Sequence, residues 1–433
     1  MADSTIPLSG YGSGRIEARR RRRQTLCAFA ALVVVLLPAV AMATDGLEPI
    51  GVSMQSRMRG GADVAVGDSA LSQIDNPSSL ALQPRGVYSL DEASKLAFVN
   101  LPWRGPIDTD VSNTKLIHLH NLGLAMPVND RLTFGLALHS KAGVGTSFNM
   151  RHLMIPYMKR RVGSDLKNIA VDLSAAYKVT EKLSLGLGAR VEMATCEFST
   201  VLGPADVDFG RGYAYGGGFQ AGLHYQARKN LAFGLAYRSP TWFGDLAGGD
   251  GKAALFGVLP ISLGGIRLTD LQLPQKVTGG VAWDVNDWLK LVGEVRWTNY
   301  DNSVFHSTTV ATDGVIDLRY PMPLGYQDFW TFILGSEFKL DKHWTAAFGY
   351  HYITTPVDRA YLMPTCDIPV QHHLTAGLRY ETDRWWVGGG YVLAFRQSLH
   401  GPGYNRVPLG IDYGLSDVAQ TQHMISMGFG FRW

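Results

Sequence analysis

Downstream of residue 44 the sequence has no continuous apolar run of about 18 residues, so no segment there can cross a bilayer as a helix. Charge is scarce: Asp, Glu, Lys and Arg make up 18% of 433 positions and nearly cancel, leaving +3. A surplus that small argues against nucleic acid as a partner. Cysteine is rare too, with only Cys27, Cys196 and Cys366. Cys27 lies in a segment expected to be removed. One Cys196–Cys366 bridge then stays open, since both residues fall near expected loops and an oxidising compartment permits it. Metal-ligand sets are missing. His118 and His120 share a strand face and His372-His373 starts another strand, but no Cys, Asp or Glu cluster accompanies them. They read as lumen or interface residues, and no cofactor is implied. No G-x-S-x-G elbow marks a serine hydrolase.

The N-terminus is composed differently. Arg19 to Arg23 form a basic run, an apolar stretch follows, and Ala41-Met42-Ala43 closes it with small residues around one spacer. Those are the three parts of a secretory signal, so residues 1–43 are expected to be cleaved and the mature chain to begin near Thr44. What remains is rich in glycine, at 49 residues, with 11% aromatics and a mean hydropathy near zero. That mixture suits many half-apolar strands.

Period-2 alternation bears this out along the chain. In LSLGLGARVEM (183–193), Leu183, Leu185, Leu187 and Val191 share one face, and Ser184, Gly186, Gly188, Arg190 and Glu192 share the other. LTFGLALH, LAFGLAYRS and the closing HMISMGFGFRW repeat the pattern, and charges always fall with the glycines. Lipid outside and a polar lumen inside would produce this. Polar two-residue turns recur at Asn129-Asp130, Thr180-Glu181, Arg228-Lys229, Asn286-Asp287, Asp341-Lys342 and Thr382-Asp383. Longer connections are expected near 142–165, 199–211, 245–272, 306–325, 355–369 and 398–418. Short turns on one side and long loops on the other predict an all-β, transmembrane antiparallel β-barrel of about 14 strands over residues 85–433. Trp103, Trp242, Trp288, Trp344, Trp385 and Trp433 are expected to belt it at the two interfaces.

Residues 44–84 do not alternate. Their small residues with scattered Ile, Leu, Val and Met suit compact packing in a confined space, so a plug in the lumen is expected. GGADVAVGDSALSQIDNPSSLA, PVNDRLTFGLALHSKAGVGTSFN, LQLPQKVTGGVAW and GYQDFWTFILGSEFKLDKHWTAAFGYHY stand in an order that resembles the FadL family of outer-membrane transporters for long-chain fatty acids and other hydrophobic compounds. The resemblance implies a hatch with its Asn-Pro-Ala-type motif at Asn76-Pro77-Ser78. It also implies passive transport by loop capture, luminal binding and hatch-gated lateral exit, with no enzymatic step. The implied surroundings are outer-membrane lipid and lipopolysaccharide in a Gram-negative cell, assembly by the barrel assembly machinery, and a monomer. One departure is the short connection TVLGPADVDFGRG, where the fatty-acid transporters carry a long loop. Aromatic hydrocarbons or alkanes therefore stay open as alternative substrates, and a general diffusion porin or an outer-membrane β-barrel enzyme as alternative functions.

Two sets of ligand contacts are expected. Leu255, Phe256, Val258, Leu259, Pro260 and Ile261 offer an apolar platform in the 251–265 loop, which could equally fold over the barrel's own mouth. Arg190, Arg238 and Arg396 are the luminal candidates for a fatty carboxylate, set against mutual pairing with Glu192, Glu294, Arg296 and Arg379.

Overall fold

The structure is a computed structural model that describes residues 46–433 except 85, 115, 314–318, 356 and 365–369. The expected signal peptide and Cys366, hence the Cys196–Cys366 pairing, lie outside the described residues.

Fourteen strands close a barrel. In chain order they are β1 (Ser89–Asn100), β2 (Leu116–Pro127), β3 (Leu132–His152), β4 (Ile155–Lys178), β5 (Leu183–Leu202), β6 (Ala205–Arg228) and β7 (Leu231–Arg238). Then follow β8 (Gln275–Asp284), β9 (Leu289–Asn299), β10 (Phe329–Lys339), β11 (Trp344–Ile353), β12 (His372–Glu381), β13 (Trp385–His400) and β14 (Asp417–Arg432). Each pairs antiparallel with the next, and Ser89↔Arg432 through Asn100↔Thr421 joins the last to the first. Closure leaves no sheet edge for lipid to desolvate.

The alternation behaves as its chemistry requires. Leu185, Leu187 and Val191 are exposed on the outer face, whereas Ser184, Arg190 and Glu192 are buried. Trp242, Trp288, Trp344, Trp385 and Trp433 are exposed as expected of a belt, but Trp103 is not. It sits buried against Phe148 and Tyr413, because Pro102–Arg104 continues the register of β1 along β14 (Trp103↔Val418) and parity puts Trp103 on the inward face.

All six expected tight turns connect strands at one end. At the other end the loop reading needs correction. Pairing of β3 with β4 continues to His152↔Ile155, and that of β5 with β6 to Leu202↔Ala205, so 142–165 and 199–211 are tall hairpins. Beyond the bilayer the outward face meets water, as at Asn149 and Arg151, while inward residues such as Phe148 and Met150 are buried. The apolar-outside rule that marks the bilayer strands therefore no longer holds, although backbone pairing persists.

Residues 46–83 fill the lumen. Ser53 and Ser56 form a capping box for a one-turn helix, α1 (Met54–Met58), and Ser69 with Ser72 do the same for the 3-10 turn Ala70–Ile74. Asn76 caps the next turn, Pro77–Leu82, where proline at the first helical position needs no backbone donor. Glycines on the inner wall make room for this segment. A Cβ on Gly186 would lie 2.2 Å from the Ser78 nitrogen, on Gly234 2.0 Å from the Val64 oxygen, and on Gly349 2.1 Å from the Gly60 nitrogen. Much of the glycine on the charged faces is therefore a mould around another stretch of backbone. The strands themselves gain nothing from it.

Candidate functional site

Asn76 holds the luminal turn by both ends of its amide. Its Nδ2 donates to the Val64 carbonyl at 2.7 Å and to the Leu223 carbonyl of β6 at 3.1 Å. Its Oδ1 accepts from the Ser78 amide at 3.1 Å and the Ser78 hydroxyl at 2.7 Å. The three residues expected at a gate thus share one hydrogen-bonded turn, seated against the inward face of β5 and β6.

Buried charges tie the rest of the segment to the wall. Arg59 reaches Asp63 at 3.0 Å, Asp68 at 2.8 Å and Glu337 of β10 at 2.6 Å, and Arg379 joins at Asp68 at 3.3 Å. Two guanidiniums face three carboxylates there. Burial, with Asp68 as a like charge, raises the Asp63 pKa despite Arg59. Glu294 of β9 accepts the amides of Asp63 and Val64 at 2.7 and 2.9 Å while holding Arg296 at 2.6 Å.

Glu48 forms a second tether, to Lys276 at 2.6 Å and Arg238 at 3.3 Å. Burial acts to raise its pKa, but Lys276 and Arg238 outweigh burial and bring it from 4.5 to about 2. A depressed carboxylate stabilises fully above its unfolded pKa and loses that contribution as pH falls through the folded value. The tether should therefore hold at neutral pH and weaken from about pH 4.5 toward about pH 2. A spin label at position 47 should gain mobility across that window and not above it.

The tether matters for what stands beside it. β2 and β3 pair from Pro127↔Thr133 only as far as Asn121↔His139, although both strands run on. Above that point Leu116 to His120 have no partner on β3, whose register shifts between Ser140 and Ala142. The Ser140 amide donates to Asn121 Oδ1 at 3.2 Å at the lower edge, and the Asn113 amide to the Ser147 carbonyl at 2.7 Å at the upper edge. Between them the wall has a window. From within, the Leu47 carbonyl, next to Glu48, accepts the Gly143 amide at 3.1 Å.

An apolar cavity of about 70 Å³ abuts the window. Ala142 and Val144 of β3 belong to both, and Leu268, Leu271, Leu273 and Phe305 close it from the long connections. The lining comes from three strands, β3, β4 and β5, and from the two connections β7–β8 and β9–β10, and no local pattern marks residues so far apart in sequence as neighbours. Sequence reasoning therefore missed them.

The expected site residues fall in different places. Phe256, Val258 and Leu259 are exposed at the tip of the hairpin between Leu246–Leu255 and Leu259–Thr269, away from the cavity. Leu255, Pro260 and Ile261 lie on that same tip. Tyr157 and Arg160 of the neighbouring hairpin bond the carbonyls of Phe256 and Gly257. Arg190 is buried against Glu192 and donates to Thr241 at 3.0 Å, and Lys141 holds Glu192 at 2.7 Å. Arg238 is committed to Glu48 and to the Ile74 carbonyl at 2.6 Å. Arg396 departs from expectation: a bulge between Ala394 and Gln397 breaks the alternation and leaves it exposed.

A family model described as outer membrane protein transport protein (OMPP1/FadL/TodX) matches residues 62–387. The chain belongs to that family. It is thus an outer-membrane barrel protein of a Gram-negative bacterium. The family's characterised members are transporters. The chain is 23% identical over 402 residues to a long-chain fatty acid transport protein of Salmonella typhi, covering 81% of this chain and 82% of that one. The fold is similar to that of the Ralstonia pickettii toluene transporter TbuX, with a TM-score of 0.72 at 20% identity over 91% of this chain and all of the other. The Pseudomonas putida toluene transporter TodX gives 0.74 at 18% identity, over 89% of this chain and 98% of the other.

Proposed function

We propose that this member of the OMPP1/FadL/TodX family carries hydrophobic small molecules, long-chain fatty acids foremost, passively across the outer membrane. The observation that carries the reading is the apolar cavity that borders a window in the barrel wall, with Leu47 of the tethered luminal segment bonded to Gly143 at that window. Residues 44–84 serve as hatch, and Asn76, Pro77 and Ser78 as its latch. A ligand settles on the apolar hairpin tip, enters the cavity, and leaves sideways when Leu47 and Glu48 release Gly143. Each buried CH₂ contributes about 0.8 kcal/mol, so an alkyl chain needs few polar contacts to be drawn from water. No catalysis or cofactor enters this scheme. The chain closes its barrel alone, which supports a monomer, assembled by the barrel assembly machinery into lipid and lipopolysaccharide.

A second reading, uptake of aromatic hydrocarbons, is favoured by the small cavity, which in this closed state is below the ~150 Å³ that holds benzene. It is favoured also by the tight β5–β6 hairpin in place of a long loop. Uptake of labelled oleate and toluene by cells with and without the protein separates these readings. Faster entry of oleate supports the first and faster entry of toluene alone the second. Equal entry of both with and without the protein removes the transport reading. Within either, Ala194→Trp should fill the cavity and lower uptake by about tenfold or more, because the ligand's volume is then occupied.

A further inference from the structure

The luminal cations can be accounted for one by one. Arg59, Lys141, Arg190, Arg238, Lys276, Arg296 and Arg379 each hold a carboxylate within 4.0 Å. Arg57 holds none, but spends its guanidinium on the carbonyls of Gly51, Val52 and Ser94. Lys95 is left. It is 1% exposed on the inward face of β1, and its Nζ has neither a hydrogen-bond acceptor nor a counter-ion among the described residues.

A bare buried ammonium is among the most expensive groups a protein can carry, more so beside a second cation. At membrane depth such a residue marks a ligand path unless a partner is found for it. Lys95 stands opposite Leu119 on β2, within the stretch that has no β3 partner, and opposite Ser426 on β14. It therefore lies one strand from the window, on the edge across from the cavity. Around this wall more polar atoms are left open: the Ser426 hydroxyl and the amide groups of Gln55 and Gln422 are buried without partners. At the same height the outer face of β1 and β2 is also polar. The Ser94 hydroxyl bonds the Glu92 carboxylate and lies 2.7 Å from His120 Nδ1, which is itself 3.5 Å from Glu92, and the His118 and His120 rings lie 3.9 Å apart.

We infer that Lys95 is the inner station for the carboxylate of a fatty acid leaving through the β2–β3 window. The alkyl chain passes from the cavity to the bilayer first, and the head group pauses on Lys95 before following along the polar β1–β2 wall. This rests on the transport reading above and makes it specific for an anionic head group.

The test is competitive uptake of labelled oleate and hexadecane by cells making the full-length protein, wild type or Lys95→Met. Barrel folding is checked by the heat-dependent shift in gel mobility. The oleate-to-hexadecane uptake ratio should fall roughly tenfold to a hundredfold in the variant, the range expected for losing a charged hydrogen bond, and Lys95→Arg should restore most of it. If Lys95→Met does not fold, Lys95→Gln decides by the same ratio. A variant ratio equal to wild type overturns the station while leaving transport intact. If the wild-type protein speeds neither ligand, the transport reading itself is overturned.

Discussion

Gly186→Val should turn a closed barrel into a leaky one. The new Cβ would sit 2.2 Å from the Ser78 nitrogen and 2.3 Å from the Pro77 carbonyl carbon, both backbone atoms that cannot rotate away. The added methyls make it worse. The strand itself tolerates valine well, since β-branched residues suit extended backbone. The cost therefore falls on the seating of the latch, at about 1–3 kcal/mol for overpacking, and the barrel should still form. Planar-bilayer recordings should show ion current well above wild type, and cells should become sensitive to bulky hydrophilic antibiotics. A wild-type current from a folded Gly186→Val barrel would mean that the Asn76-Pro77-Ser78 turn seals nothing.

Arg59→Met should have a comparable effect by another route. The substitution keeps the bulk of the stem but leaves Asp68 and Glu337 buried and short of a cation, with Arg379, 3.3 Å from Asp68, left as the ion-pair partner. Removing one partner from a buried charge network costs about 3–5 kcal/mol, mostly from the charge left behind. Because Glu337 belongs to the barrel and Asp63 and Asp68 to the luminal segment, the loss should appear as loosening between them. Limited proteolysis from the periplasmic side should cut within 46–83 far faster than in wild type, with the strands still protected. Adding Glu337→Gln should recover part of the loss, because it removes one of the stranded charges.

The sequence carried the barrel more fully than the path through it. Strand faces were legible because lipid imposes a strict rule on Leu185, Leu187 and Val191, and lumen imposes another on Arg190 and Glu192. The turn at Asn76-Pro77 was legible, because its chemistry is local. The upper hairpins were not, since above the bilayer the outer face is polar and the apolar residues Phe148 and Met150 turn inward, against the rule read from the strands below. Arg396 went astray for a related reason: one extra residue in a bulge cancels all parity beyond it. The cavity was hidden because it is assembled from distant segments, Ala142 on one strand and Phe305 on a far connection. The window was hidden because it consists of hydrogen bonds not made.

Photo-crosslinking of a diazirine-bearing fatty acid during uptake, with mass-spectrometric mapping, tests the lateral path most directly. The account predicts labels on cavity residues such as Leu268 and Phe305 and on both edges of the window, at 116–120 of β2 and 140–146 of β3. Labels running instead past Leu82 and Gln83 toward the periplasmic end of the barrel, with none at the window, would contradict it and point to a pore that conducts straight through.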